Sequence, residues 1–242
     1  MKQFLTYLFI ALFALLVVSC KKDKNENENE KVQLVKTIRY YRTNDDPGVA
    51  EYTDLHIEYD DKNRIKTMSA ISADTEVSTF IYNGDDLVMF KSGNITLNFS
   101  KNGSKITVLS EEDNIDREIE LNSNGYPIKS SWSNNAEWFF QYLDGNVQSL
   151  SIGGTSFIYE YDNKKSPFYY CRTPKWFPVF NLTITQVPFI LPYSYCIKNN
   201  ITDYISSCDD KNKQEWITYE YDNNGFPTKM YWDGKLYATF TY

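Results

Sequence analysis

The chain has 242 residues, with 25 basic and 32 acidic side chains, a formal charge of −7 and 17% aromatic residues, including 20 Tyr. An acidic chain in which no basic patch stands out repels phosphate backbones, which argues against a nucleic-acid partner. The length suits one sizeable domain or two small ones, and so large a share of Tyr asks for a structural cause.

The N-terminus reads as a targeting segment. Lys2 supplies a short positive start, and Phe4 to Val18 is an apolar run of signal-peptide length, short for a helix that spans a bilayer. The run ends in Val17-Val18-Ser19-Cys20. This ending resembles the lipobox of bacterial lipoproteins. The resemblance implies a signal peptide over 1–19, cleavage before Cys20, and lipid attachment at Cys20, so that the protein partners a membrane through its N-terminal lipid. An ordinary cleaved signal or an anchor helix is the alternative. The next ten residues, KKDKNENENE, contain nothing apolar. Residues 20–30 are therefore expected to form a lipid-anchored, solvated tether. Acidic residues behind the cysteine resemble the surface-export signals of Bacteroidetes lipoproteins, although two lysines come first. The location expected is the outer membrane, with the periplasmic and external faces both open.

From residue 31 to residue 242 one pattern recurs. In Trp216–Asp222, WITYEYD, Ile217, Tyr219 and Tyr221 share one face while Thr218, Glu220 and Asp222 share the other. Period two with one apolar face is the mark of a half-buried strand. Asn223, Asn224 and Gly225 then supply turn chemistry, and a second strand starts after Pro227. The unit is a β-hairpin. Related anchors sit at Tyr59, Tyr82, Phe99, Leu121, Tyr142, Tyr161 and Tyr221, at steps of 23, 17, 22, 21, 19 and 60. The last step is expected to hold three repeats of about 20, the length of two short strands and two turns. Turn signals at Asp45-Asp46-Pro47-Gly48 and Asp233-Gly234 add hairpins at the two ends. The fold class expected is all-β: an antiparallel up-and-down meander, closed into a soluble barrel or strongly curled sheet, as a single domain. The Tyr rings are expected to line the inner face, with hydroxyls reaching the rim, and each following Asp to bond nearby turn N–H groups.

The YEYD-x-x-G unit resembles the YD/RHS-type repeat. With the lipobox and the C-terminal YEYDNNGFPTK, the chain resembles a family of secreted Bacteroidetes lipoproteins of unknown function. That resemblance implies a porin-like β fold and an envelope location, and no catalytic residues. A membrane-spanning barrel is the alternative that YATFTY at the C-terminus suggests. Against it stand the short strands and the Tyr spread through the apolar face.

The pattern lapses over about 163–212, an insert that carries five of the chain's eight prolines. It is also strongly aromatic. Trp176, Phe177 and Phe180, with Tyr169 and Tyr170, either close the core or form a ligand or partner platform. Of Cys171, Cys196 and Cys208, the pair Cys196–Cys208 would close a short loop as a disulfide, and Cys171 could replace either one.

Catalytic signals are sparse. The one histidine, His56, lies on the polar face of its strand. No nucleophile elbow, phosphate-binding glycine loop or zinc spacing occurs, so no metal or cofactor is expected. The paired carboxylates fall in turns. The function expected is a non-enzymatic envelope lipoprotein that acts as a binding or interaction scaffold for a glycan or an envelope protein. A carboxylate-dependent polysaccharide hydrolase and a structural part of an outer-membrane assembly are the alternatives.

Overall fold

Alternating faces and tight turns build sixteen strands in this computed structural model, which describes residues 31–41, 52–71, 76–110, 115–132, 137–177, 198–207 and 216–242. In chain order they are β1 (Thr37–Tyr41), β2 (Tyr52–Tyr59), β3 (Ile65–Ile71), β4 (Glu76–Asn83), β5 (Asp86–Ser92), β6 (Ile95–Asn102), β7 (Lys105–Ser110) and β8 (Ile115–Leu121). There follow β9 (Pro127–Trp132), β10 (Glu137–Leu143), β11 (Asn146–Ile152), β12 (Thr155–Tyr161), β13 (Ile201–Ser206), β14 (Ile217–Tyr221), β15 (Pro227–Trp232) and β16 (Lys235–Thr241). Each pairs antiparallel with its neighbour in sequence from β1 to β13 and from β14 to β16, and β16 closes onto β1 with Thr37 opposite Thr241. The result is an all-β, nearly closed barrel. Its seam lies between β13 and β14, not at the chain ends.

One end of the barrel is built from a repeated turn. In Asp60–Arg64, Asn122–Tyr126 and Asp222–Phe226 the first residue's N–H donates to the fifth residue's carbonyl, at 2.8, 2.9 and 2.8 Å. In each, the first side chain's Oδ1 accepts from the N–H groups of the third and fifth residues, at 2.8–3.1 Å. The fourth residue, Asn63, Gly125 or Gly225, has φ of 62°, 77° or 81°. That left-handed conformation is the reason for Gly or Asn there. Before these three turns, and those after Tyr82, Tyr142 and Tyr161, the strand register shifts at the anchor, between Glu58 and Tyr59 in the first case. The shift keeps the anchor side chain on the inner face next to the turn.

Four Tyr hydroxyls at strand ends share one task. Tyr59 donates to the Val35 carbonyl at 3.0 Å, Tyr82 to Ile65 at 2.9 Å, Tyr161 to Val147 at 2.6 Å and Tyr242 to Pro227 at 3.0 Å. Each ties the end of one strand to the carbonyl at the start of the strand before it, so a rim carbonyl gains a partner where the ladder has run out. Phe99 and Leu121 hold the anchor position in two hairpins and carry no hydroxyl.

Inside, the barrel is packed rather than hollow at this end. Ile38, Leu97, Ile106, Val108, Ile119, Val147 and Met230 are at most 1% exposed, within one continuous apolar core. Outside, charged residues pair across strands. Arg39 makes a two-pronged bond to Asp54 at 2.7 and 2.8 Å, and Lys129–Glu137 and Lys229–Glu220 lie at 2.6 and 2.9 Å. The strands run from five residues in β1 to eight in β2, below the ~9–11 needed to cross a bilayer.

The expected end hairpin at Asp233-Gly234 is present, joining β15 to β16. Asp45–Gly48 lies outside the described residues. The step from Tyr161 to Tyr221 departs from expectation. Among the described residues it holds β13 and β14, one repeat and not three, because the turn after Tyr161 is expanded at its tip.

Candidate functional site

That expanded turn starts as the others do. Asp162 follows its anchor Tyr161, and its Oδ1 accepts from Lys164 N–H at 2.9 Å. The fifth position is then filled from far along the chain. Asn200 N–H donates to Asp162 Oδ1 at 3.1 Å, and Asp162 N–H donates to the Asn200 carbonyl at 3.0 Å. Residues 163–199 thus replace the three residues that stand between Asp222 and Phe226. Asn200, 1% exposed, also donates through Nδ2 to Asp162 Oδ2 at 3.1 Å and to the Lys165 carbonyl at 3.1 Å. Tyr221 completes the lock by donating its hydroxyl to Asp162 Oδ2. Burial first, and then that carboxylate, push the Tyr221 hydroxyl well above its ordinary pKa.

The insert crosses the barrel mouth. Lys165 N–H reaches the Gly225 carbonyl at 3.2 Å, in the β14–β15 turn. Arg172 N–H reaches the Asn63 carbonyl at 2.9 Å, in the β2–β3 turn. Thr173 Oγ1 accepts from Ile65 N–H at 2.8 Å. On the far side, the Lys175 ammonium sits 4.1 Å from the Tyr126 ring centre, and Asn199 and Asn146 exchange two hydrogen bonds at 2.9 and 3.0 Å.

Trp176 and Phe177 turn into the barrel, 5% and 3% exposed. Phe177 packs edge-on against Phe80 at 4.9 Å and tilted against Phe90 at 5.5 Å, and Trp176 meets Phe99 at 5.1 Å. These partners are inward residues of β4, β5 and β6, so the two rings close the core. Neither presents a face to a ligand. Tyr169 stays exposed at 37% and Tyr170 is half-buried, with the Lys165 ammonium 5.1–5.8 Å from the rings of Tyr169, Tyr170 and Phe226. Phe180, Cys196, Cys208 and Cys20 lie outside the described residues. Cys171 is a free thiol that donates to Thr173 Oγ1 at 3.4 Å, and burial raises its pKa.

Deeper toward the opposite end sits a side chain the sequence did not flag. Arg117, 1% exposed, points inward from β8 with the Trp138 ring 5.8 Å away, and burial lowers its pKa to about 9. Its inward position was readable: it takes an apolar slot of the period-two pattern, two residues before Ile119.

The remaining candidates serve the fold. His56 faces outward, with Nδ1 3.1 Å from the Thr37 hydroxyl. Asp60 and Asp222 are held by turn N–H groups, Asp85 by Lys62 at 2.7 Å and Asp86 by Lys101 at 2.8 Å. Among the described residues no group of three His, Cys, Asp or Glu side chains could hold a metal.

No protein-family model and no curated protein matches the chain. Solved structures do resemble it. A porin-like protein from Bacteroides uniformis ATCC 8492 has a TM-score of 0.42 at 14% identity, over 86% of this chain and 96% of that one. A porin-like protein from Bacteroides vulgatus ATCC 8482 has a TM-score of 0.41 at 10% identity, over 87% of this chain and 99% of that one.

Proposed function

We propose that this chain is a lipid-anchored envelope barrel that stands in water and acts as a non-enzymatic binding scaffold, held to the outer membrane through Cys20. Its partner is a glycan or an envelope protein. The observation that carries the reading is the polarity of the wall: apolar side chains fill the interior, while Arg39–Asp54, Lys129–Glu137 and Lys229–Glu220 pair on the outside. Lipid around such a wall would cost about 2–4 kcal/mol for each Lys or Arg at the midplane. A barrel of this polarity has use for a separate anchor, and the lipobox-like VVSC supplies one.

The test is Cys20→Ser. The variant is expected to leave the membrane fraction, whereas retention after carbonate extraction would remove the anchored reading. Protease shaving of intact cells assigns the face. Turnover on a polysaccharide panel, abolished by a single Asp or Glu substitution, would replace the scaffold with the hydrolase.

A further inference from the structure

The insert differs in charge from the rest of the chain. Residues 163–200 hold five of the 25 basic side chains and none of the 32 acidic ones. Folding brings all five to one end. Lys164 and Lys165 lie beside the β14–β15 turn, Arg172 beside the β2–β3 turn, and Lys175 and Lys198 beside Tyr126 and Gly145 on the far side. Lys164, Arg172, Lys175 and Lys198 are exposed, and no ion pair among the described residues engages them.

The carboxylates of this end are mostly occupied. Asp60 pairs with Arg64, Asp85 with Lys62 and Asp86 with Lys101, while Asp162 and Asp222 are bound within their turns. Asp61 and Asp144 in the turns, with Glu58 and Glu160 just below them on the wall, are the exposed exceptions. Exposed Tyr169 adds an amphipathic ring of the kind that settles at headgroup level.

The chain enters the barrel at this same end. Lys36 N–H bonds the Thr241 carbonyl at 2.7 Å, and Val35 takes the Tyr59 hydroxyl. Residues 21–36 therefore join Cys20 to the insert end and not to the opposite rim. The eleven residues from Cys20 to Lys31 can reach at most about 36–40 Å even fully extended, which bounds how far this end can stand from the surface that holds the lipid.

We propose that the insert end of the barrel docks on the bilayer that carries the anchor, with Lys164, Arg172, Lys175 and Lys198 meeting anionic phospholipid headgroups. The inference rests on lipid attachment at Cys20 and adds an orientation: turns and insert toward the membrane, the Asp233-Gly234 rim away from it. Lipid and basic patch then act as two signals, each reinforcing the other.

The test uses the acylated protein on vesicles of phosphatidylcholine alone and of phosphatidylcholine with phosphatidylglycerol. Amine-reactive labelling is read at each lysine by mass spectrometry. Labelling of Lys164, Lys175 and Lys198 is expected to fall several-fold on the anionic vesicles only, with Lys235 at the far rim unchanged, and the protection is expected to fade as salt is raised. The triple variant Lys164→Glu, Lys175→Glu, Lys198→Glu, with an unchanged melting temperature, is expected to lose the charge dependence of labelling at Lys165. Equal labelling of the three lysines on both vesicle types overturns the docking and leaves the anchor standing. Failure to float with either vesicle type overturns the anchor, and the docking with it.

Discussion

The Tyr219 hydroxyl donates to the Ile201 carbonyl at 2.9 Å across the seam between β13 and β14, the two ends of the strand order among the described residues. Strands β13 and β14 share no ladder, so side chains close the seam: Tyr219 here, and Tyr221 to Asp162 nearer the rim. Tyr219→Phe removes the donor and leaves the rings in place. It is expected to cost about 0.5–1.5 kcal/mol, read from denaturant midpoints, and to speed amide exchange in β14. Tyr231→Phe, whose hydroxyl meets Glu220 on the exposed wall, is expected to change little. Equal effects from the two would show that the seam is not specially dependent on Tyr219.

Trp176 plugs the barrel against Phe99 and Phe177. Trp176→Ala is expected to cost about 3–5 kcal/mol, through lost burial and the cavity left behind. The readout is the melting temperature, which is expected to fall by many degrees. Tyr169→Ala, on the exposed side of the same insert, is expected to leave the melt nearly unchanged. An unaltered melt for Trp176→Ala would mean that the insert does not brace the core.

Acid sensitivity follows from the turn carboxylates. Burial works against ionised Asp60, yet the Arg64 side chain and the turn N–H groups outweigh it and hold the pKa below 3.8. Asp222 behaves alike: burial opposes, while Phe226 N–H and Gln33 prevail. A folded pKa below the unfolded one means that the contribution is complete above the unfolded value. It is lost as pH falls through the folded value. Urea midpoints are therefore expected to be level from neutral pH to about pH 5 with respect to these groups, and to drop below about pH 4. Asp222→Asn is expected to start less stable at neutral pH and to lose less on acidification. An acid slope unchanged by that substitution would assign the effect elsewhere.

The three matching turns make a further prediction at their fourth position. Gly225 sits at φ 81° and Asn63 at φ 62°. Gly225→Val is expected to cost about 1–2 kcal/mol, the penalty of placing a Cβ in the left-handed region, whereas Asn63→Gly is expected to be near neutral. Chemical denaturation of both variants checks the pair, and a neutral Gly225→Val would mean that the turn relaxes to another type.

Strand, turn and repeat were legible from the sequence because they depend on neighbours a few residues apart. Period two sets which side chains share a face, and Asp or Asn followed by Gly sets the turn, so Ile217–Tyr221 and Asp222–Phe226 could be read without a fold. The inward Tyr rings were legible for the same reason. The absence of any acidic residue over 163–200 was equally local, and it was the missed signal of a basic face. Tertiary structure alone decided the rest. The 60-residue spacing from Tyr161 to Tyr221 matches three repeats by length alone, whereas Asn200 fills the fifth position of the turn begun by Asp162, a contact 38 residues apart. Whether Trp176 and Phe177 faced water or the lumen turned on Phe99 for the first and on Phe80 and Phe90 for the second, in strands far from them in sequence. The seam at β13–β14 was set by β16 pairing with β1. Each of these depends on closing a long loop, whose return is paid only by contacts that exist once the barrel has formed.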